Sequence, residues 1–157
     1  MAGLSVSVQG GGIFVISLEQ KPEYLDFYNQ VLGVKRIPDP NHIVWITKLD
    51  EAGNILAVVA FRNFTQHTCE MSIATNKKSN WASREFIAVC YRYAFNQMKL
   101  SRVNAVINEK NERALRMNRK LGCTEEAKLK NFFGENDGIL MRMLPSECKW
   151  IQETSHV

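Results

Sequence analysis

Hydrophobic residues recur at helical spacing after Pro22, which can occupy the first turn of a helix. Gly33 follows the last of them and can end that helix. Two β-branched and aromatic runs come next, Ile43–Leu49 and Ile55–Phe64, separated by the turn-forming residues DEAGN. The pattern predicts a first helix and then an antiparallel hairpin. The apolar positions of the helix are Tyr24, Leu25, Phe27, Tyr28, Val31 and Leu32.

A third strand is predicted over about His67–Thr75, and a long helical pattern then runs from Trp81 to Met98. The short strand Arg102–Asn108 follows that helix. A strand, a helix and a second strand in this order normally place the two strands parallel, with a right-handed crossover. The apolar positions of the long helix are Phe86, Ile87, Val89, Cys90, Tyr93, Ala94 and Met98.

The last third of the chain begins with a helix over Glu112–Leu121, which Asn111 can cap and Gly122 can stop. Two further strands are predicted at about Thr124–Lys130 and Ile139–Leu144, on either side of the turn GENDG. The predicted order is strand, helix, three strands, helix, strand, helix, two strands. With 157 residues and no internal repeat or Pro/Gly/Ser-rich linker, we expect one domain over residues 1–157.

Composition excludes several classes of protein. Apolar residues make up 45% and charged residues 23% of the chain, which is typical of a globular protein and not of a disordered one. The longest strongly apolar run, Ile55–Phe61, is far too short to span a membrane, and the start of the sequence resembles no secretory signal. We therefore expect a cytoplasmic protein with no membrane partner.

Basic residues are concentrated between Lys99 and Lys130. This segment holds nine basic and four acidic residues, so its excess is larger than the net charge of +4 for the whole chain. The excess suits a phosphate-bearing ligand, but a solvated helix face would show the same pattern. The total charge is low for a nucleic-acid-binding protein and the segment lacks interleaved aromatic residues, so nucleic acid is an unlikely partner.

The cysteines do not have the spacing of a metal site. Cys69, Cys90, Cys123 and Cys148 form no Cys-x-x-Cys pair, so buried free thiols are expected. His67 and Cys69 would share one face of a strand, but the sequence offers no clear source for two more ligands. No metal is predicted.

The third predicted helix carries a motif. The sequence NERALRMNRKLGC, from Asn111 to Cys123, resembles the Asn-x-x-Ala-x-x-x-(Tyr or Asn)-x-x-x-Gly-Phe segment of the GNAT superfamily of acyl-CoA-dependent N-acetyltransferases. Glu85–Phe95 is similar to the long helix of its ribosomal-protein N-terminal acetyltransferase branch, and the tail from Met143 to Trp150 resembles small phage- or prophage-encoded members. The resemblance implies an α/β (α+β) GNAT fold, with helices on both faces of a mixed, mostly antiparallel sheet of six or seven strands. A splayed parallel strand pair would form the cofactor site.

The resemblance also implies acetyl-CoA as cosubstrate and assigns residues to it. The phosphate loop departs from the family pattern (Arg or Gln)-x-x-Gly-x-(Gly or Ala), because Trp81 and Ser83 replace the glycines. Trp81 would hinder close approach of a pyrophosphate, or else anchor the helix start. The residues assigned to the cofactor are Met71, Ser72, Ile73, Lys77, Lys78, Ser79, Asn80, Trp81, Ala82, Ser83, Arg84, Asn108, Asn111, Arg113 and Asn118.

The family reaction is direct attack of an amine on the thioester. Glu70 matches the Glu of the family's Ala-Glu-(Ile/Leu)-Gly stretch and is the candidate base; a strand carboxylate paired with Arg62 is the alternative. Backbone groups near Ser72 and Ile73 would form the oxyanion hole. Asn118 stands where the family often has a tyrosine acid, and could orient the pantetheine or sulfur by hydrogen bonding.

The partner implied by the resemblance is a primary amine: a peptide N-terminus, a lysine or a small molecule. A homodimer stays open, since many relatives dimerise but no interface can be identified from one sequence. The missing glycines motivate an alternative function, a GNAT-like binding module without catalysis.

Overall fold

The computed structural model describes residues 4–9, 12–34, 39–76 and 81–152. They form one eight-stranded sheet with the strand order β1-β2-β3-β4-β5-β6-β8-β7. The strands are β1 (Leu4–Gln9), β2 (Gly12–Ser17), β3 (Ile43–Asp50), β4 (Ile55–Arg62), β5 (Thr68–Thr75), β6 (Arg102–Asn108), β7 (Thr124–Phe133) and β8 (Asn136–Met143). The helices are α1 (Pro22–Leu32), α2 (Arg84–Arg92) and α3 (Glu112–Leu121).

The predicted fold class is confirmed. Strands β5 and β6 pair in parallel, while β1–β2, β2–β3, β3–β4, β6–β8 and β7–β8 are antiparallel. The sheet has eight strands rather than six or seven, because a hairpin of two strands precedes α1 where the sequence pattern predicted one strand. None of the described helices is long and apolar enough to cross a membrane.

The chain divides into two compact units, whose boundaries fall after β4, within β5 and within α2. Unit 1 comprises Met1–Asn63 and Met71–Cys90, and unit 2 comprises Phe64–Glu70 and Tyr91–Val157. The single-domain interpretation stays a prediction.

Unit 1 contains the predicted first helix and hairpin. Helix α1 begins at Pro22 and ends at Gly33, whose φ of +61° is the left-handed conformation that glycine adopts readily. The turn between β3 and β4 is held by Asp50, whose backbone and carboxylate both bind Asn54. These boundaries confirm the local signals in the sequence.

The core of unit 1 lies between α1 and the sheet. Tyr24, Leu25 and Tyr28 of α1 pack in one buried cluster with Trp45 of β3 and Val58 of β4. Beyond the end of β2, the side chain of Gln20 hydrogen-bonds both backbone groups of Trp45 and thus continues the pairing along β3. On the other face of β3, Lys48 lies near Phe86 of α2. Helices therefore cover both faces of unit 1's sheet, as predicted.

Unit 2 has its own buried cluster, formed by Leu115 of α3, Ile107 of β6 and Ile139 and Met141 of β8. Helix α3 matches its predicted limits, and Gly122 ends it with a φ of +101°. This cluster fixes α3, the helix that carries the resemblance motif, to β6 and β8.

The predicted boundaries of the long helix and of the last two strands are wrong. The long helix starts at Arg84 and not at Trp81, because Ser83 caps it, and it ends in a π-helical turn over Tyr93–Gln97, where the Met98 amide donates to the Tyr93 carbonyl. The predicted turn GENDG is shorter than expected. Strands β7 and β8 continue to Phe133 and Asn136, so the connection is only two residues long.

Candidate functional site

The start of α2 is built around two buried residues. Trp81 is 7% exposed and packs edge-to-face against Phe86, with ring centroids 6.3 Å apart. The Ser83 hydroxyl oxygen accepts a hydrogen bond from the Phe86 amide, and the Ser83 amide donates to the Trp81 carbonyl. The residues that replace the family's glycines are thus an aromatic anchor and a helix cap. The interpretation of Trp81 as an anchor is confirmed, and its indole is packed within unit 1.

A lysine that the sequence analysis did not single out lies beside this helix start. Lys48 of β3 is 1% exposed, and its Nζ donates to the Trp81 carbonyl oxygen at 2.8 Å. The same Nζ lies 4.0 Å from the centroid of the Phe14 ring and 6.0 Å from that of Phe86. The signal was present in the sequence, because strand alternation puts Lys48 on the same face as the apolar Val44 and Ile46.

Burial lowers the pKa of Lys48 below its usual 10.5, and the Glu85 carboxylate on α2 opposes part of that shift. The unfolded chain therefore binds more protons at this site than the folded chain between the lowered pKa and 10.5. We expect the free energy of unfolding of the wild type, relative to Lys48→Met, to rise with pH across this interval and to be flat below it. Urea unfolding of both proteins at a series of alkaline pH values measures the difference. A constant difference would contradict the burial of this amine.

Other predicted cofactor residues of unit 1 have simpler settings. Ala82 and Arg84 are exposed beside the helix start. On β5, Met71 is buried while Ser72 and Ile73 are half-buried. Lys77, Lys78, Ser79 and Asn80 lie outside the described residues.

In unit 2, the parallel pairing of β5 with β6 is short. It joins Thr68 to Arg102, Cys69 to Val103 and Glu70 to Asn104. β6 continues to Asn108 and pairs with β8 along one edge. Beyond Asn104, the described residues of unit 2 include no strand that pairs with the other edge of β6. Glu70, the candidate base, is half-buried at the last paired position.

The three asparagines assigned by the resemblance take part in local hydrogen bonds at the start of α3. The Asn108 carbonyl accepts from the Asn111 amide at 2.8 Å, and the Asn111 side chain caps α3 by accepting from the Ala114 amide at 3.2 Å. Asn118 is 6% exposed, and its side-chain nitrogen donates to the Ala114 carbonyl at 2.8 Å. The capping role of Asn111 is confirmed, and the Asn118 amide oxygen is the group left to accept a hydrogen bond.

The basic segment is partly neutralised within unit 2. Arg102 binds Glu126 at 2.7 Å, Arg119 lies 3.5 Å from Glu125, and Lys128 lies 3.7 Å from Asp137. Glu125 and Glu126 are already counted among the acids of the segment, so only the Lys128–Asp137 pair lowers its positive excess. The exposed cations of α3 that form no ion pair with another described residue are Arg113, Arg116 and Lys120.

The cysteines are free and their thiols are poor nucleophiles. Burial raises the pKa of Cys69 to about 12, and it also raises the pKa of Cys90, Cys123 and Cys148. Among the described residues, no group of three or more His, Cys, Asp or Glu side chains could hold a metal ion.

No protein-family model and no curated protein matches the sequence. Solved structures do match the fold. The ribosomal-protein-S5-alanine acetyltransferase from Vibrio fischeri has a TM-score of 0.69 and 14% identity, over 94% of this chain and all of that chain. The spermidine N-acetyltransferase from Vibrio cholerae, solved in complex with CoA and spermine, has a TM-score of 0.70 and 14% identity, over 88% of this chain and 98% of that one. The chain therefore has the fold of the GNAT N-acetyltransferases, as its motifs predicted.

Proposed function

We propose that the protein is a cytoplasmic N-acetyltransferase that transfers an acetyl group from acetyl-CoA to a primary amine by direct attack in a ternary complex. The observation that carries the proposal is the shared fold, because a structural neighbour with a TM-score of 0.70 is solved with CoA and a polyamine. The amine is a peptide N-terminus, a lysine or a small molecule, since the neighbours include both a ribosomal-protein and a polyamine acetyltransferase.

Two features of this chain support a cofactor site. The start of α2 offers backbone amides and the positive end of a helix dipole to a pyrophosphate. In unit 2, β6 beyond Asn104 pairs with β8 alone among the described residues of that unit, which suits a ligand that hydrogen-bonds like an added strand, as a pantetheine arm would. Within unit 2, Arg113 and Arg116 of α3 are exposed cations of the kind that binds phosphate groups.

The chemistry requires one proton transfer before attack. Glu70 takes a proton from the substrate ammonium, directly or through a water, and the free amine then attacks the thioester carbonyl carbon. A C–N bond forms, the C–S bond breaks, and the electron pair leaves with the sulfur of CoA. The attacking nitrogen gives up its surplus proton to that thiolate, so the products are the neutral amide and the CoA thiol. A thiol has a pKa of about 8.5, so thiolate is an acceptable leaving group and Asn118 in place of a tyrosine acid is tolerable. The raised pKa of all four cysteines favours this direct route over an acyl-cysteine intermediate.

The alternative is a GNAT-like binding module without catalysis, which the loss of both loop glycines motivates. The packing of Trp81 weakens the argument that the lost glycines exclude a cofactor. Its indole is buried in the core of unit 1 beside Phe86.

Calorimetric titration of the purified protein with acetyl-CoA, desulfo-CoA and ATP tests the proposal. We expect acetyl-CoA and desulfo-CoA to bind with micromolar dissociation constants, about −8 kcal/mol, and more tightly than ATP. That order of affinities would indicate a site that is specific for the whole cofactor and not for nucleotides in general. Absence of acetyl-CoA binding would overturn the proposed enzyme and leave the binding module.

A further inference from the structure

Lys48 is the buried charge that the proposed chemistry does not use. Its ammonium has three N–H donors, and the Trp81 carbonyl is the one hydrogen-bond acceptor that the described part of the chain shows for it. Its other close neighbours are the faces of Phe14 and Phe86, which attract a cation but accept no ordinary hydrogen bond. Lys48 is thus a cation enclosed by aromatic rings and bound to one peptide group.

Stability does not explain a lysine at this position. Taking an ammonium out of water is unfavourable, and the cation–π contacts, one hydrogen bond and the attraction of the Glu85 carboxylate offset only part of that cost. A methionine of similar length would fill the same space without a charge to desolvate. The side chain therefore has a role that needs its charge or its donor.

The position of the charge indicates the role. The Trp81 carbonyl that binds Lys48 also accepts from the amide of Ser83, the residue that caps α2. The ammonium consequently lies at the peptide that leads into the helix, where it adds a full positive charge to the partial charge of the helix start. In the family pattern two glycines let the backbone approach the pyrophosphate closely; here neither glycine is present.

We propose that Lys48 is a positioning residue of the cofactor site, which holds the Trp81 peptide at the entry to α2 and whose charge strengthens the binding of the CoA pyrophosphate there. This inference rests on the proposed function, because the pyrophosphate is that of its cosubstrate. A fixed cation compensates in part for the lost glycines, so the chain retains phosphate affinity with Trp81 and Ser83 in the loop.

The test is calorimetric titration of wild type, Lys48→Met and Lys48→Gln with CoA, inorganic pyrophosphate and the phosphate-free S-acetyl-pantetheine. Both variants are expected to bind CoA and pyrophosphate about tenfold more weakly, as expected for the loss of one nearby charge, and S-acetyl-pantetheine as the wild type does. The glutamine variant keeps a neutral donor for the Trp81 carbonyl and so separates charge from hydrogen bonding. In Lys48→Met that carbonyl still accepts from Ser83, so the variant is expected to fold.

Two matched controls complete the design. Lys149→Met makes the same substitution at an exposed lysine and is expected to leave all three affinities unchanged. Phe86→Leu loosens the packing around Trp81 without a change of charge, and is expected to keep the ratio between CoA and S-acetyl-pantetheine affinities. If either control reproduced the selective loss, net charge or general loosening would explain it and the inference would be overturned.

Failure of this inference and failure of the proposed function give different results. If the wild type binds CoA and the Lys48 variants bind it equally well, the proposed role of Lys48 alone is overturned. The same follows if the variants lose affinity for S-acetyl-pantetheine to the same degree as for CoA. Wild type that binds pyrophosphate but not CoA overturns the proposed function and with it the cofactor role of Lys48, while the variants still measure the contribution of its charge to pyrophosphate binding. Wild type that binds neither overturns both.

Discussion

Glu70→Gln is expected to lower kcat for acetyl transfer by about 10²- to 10⁴-fold at neutral pH, the usual contribution of a general base. The substitution removes the carboxylate that accepts the ammonium proton and preserves the size of the side chain. The KM for acetyl-CoA should stay unchanged, because the base acts on the amine. Steady-state kinetics with saturating acetyl-CoA and a reactive amine measures both constants.

The pH dependence of Glu70→Gln separates a base from a structural carboxylate. A lysine-like amine has a pKa of about 10.4, so an increasing fraction reaches the enzyme already deprotonated as the pH rises. The deficit of the variant should therefore shrink with increasing pH. A carboxylate that only pairs with a cation would instead show a deficit independent of pH, together with a loss of stability.

Glu135→Gln is the matched control for this experiment. Glu135 lies exposed in the turn between β7 and β8, so the same loss of a carboxylate there should leave kcat and KM at wild-type values. Full activity of Glu70→Gln would assign the proton transfer to another group, and its position at the last β5–β6 pair would then be architectural.

Local signals in the sequence were sufficient for α1 and α3. Pro22 is the first residue of α1 and Asn111 caps α3, while Gly33 and Gly122 follow the two helices in the left-handed conformation. Each of these signals acts within one turn of helix, so it can be recognised without knowledge of the rest of the chain. The parallel pairing of β5 with β6 joins residues far apart in the chain, but it followed from the order of a strand, a helix and a strand, which is a general rule of chain connection.

Contacts between residues far apart in the chain could not be predicted from the sequence. The pattern of β3 puts Lys48 on an apolar face, but the carbonyl that accepts from its ammonium lies 33 residues further along the chain. Gln20 pairs with the backbone of Trp45 across 25 residues. Neither partner is specified by spacing or residue type, because any carbonyl or amide at the correct position would serve.

The N-terminal hairpin is a different case, since its signal is local. The sequence LSVSVQ alternates apolar and polar residues, and glycines separate it from GIFVIS. The sequence pattern predicts one strand before α1, whereas the structure pairs β1 with β2 over six positions. The motif-bearing segments identified the fold, so this hairpin changed the number of strands and not the class.

Met141→Ala is expected to lower the free energy of unfolding by about 2–5 kcal/mol, the usual cost of truncating a buried methionine. Met141 is fully buried between Ile107, Ile139 and Leu115, so the lost volume cannot be refilled by water or by a flexible surface chain. The cavity would lie under α3, the helix that carries Asn111 and Asn118. Urea unfolding at neutral pH measures the effect, with the slope m unchanged if the native fold is retained.

Two further methionine variants show whether the cost of Met141→Ala comes from the cavity. Met141→Leu keeps nearly the whole volume and should cost less than about 1.5 kcal/mol. Met98→Ala makes the same truncation at a residue that is 41% exposed, and should change stability by no more than about 0.5 kcal/mol. If Met98→Ala lowered the free energy of unfolding as much as Met141→Ala, the loss would come from replacing methionine with alanine and not from a cavity in the core. A small loss for Met141→Ala would mean that α3 is held to β6 and β8 by other contacts, and that the motif it carries does not depend on this cluster for its position.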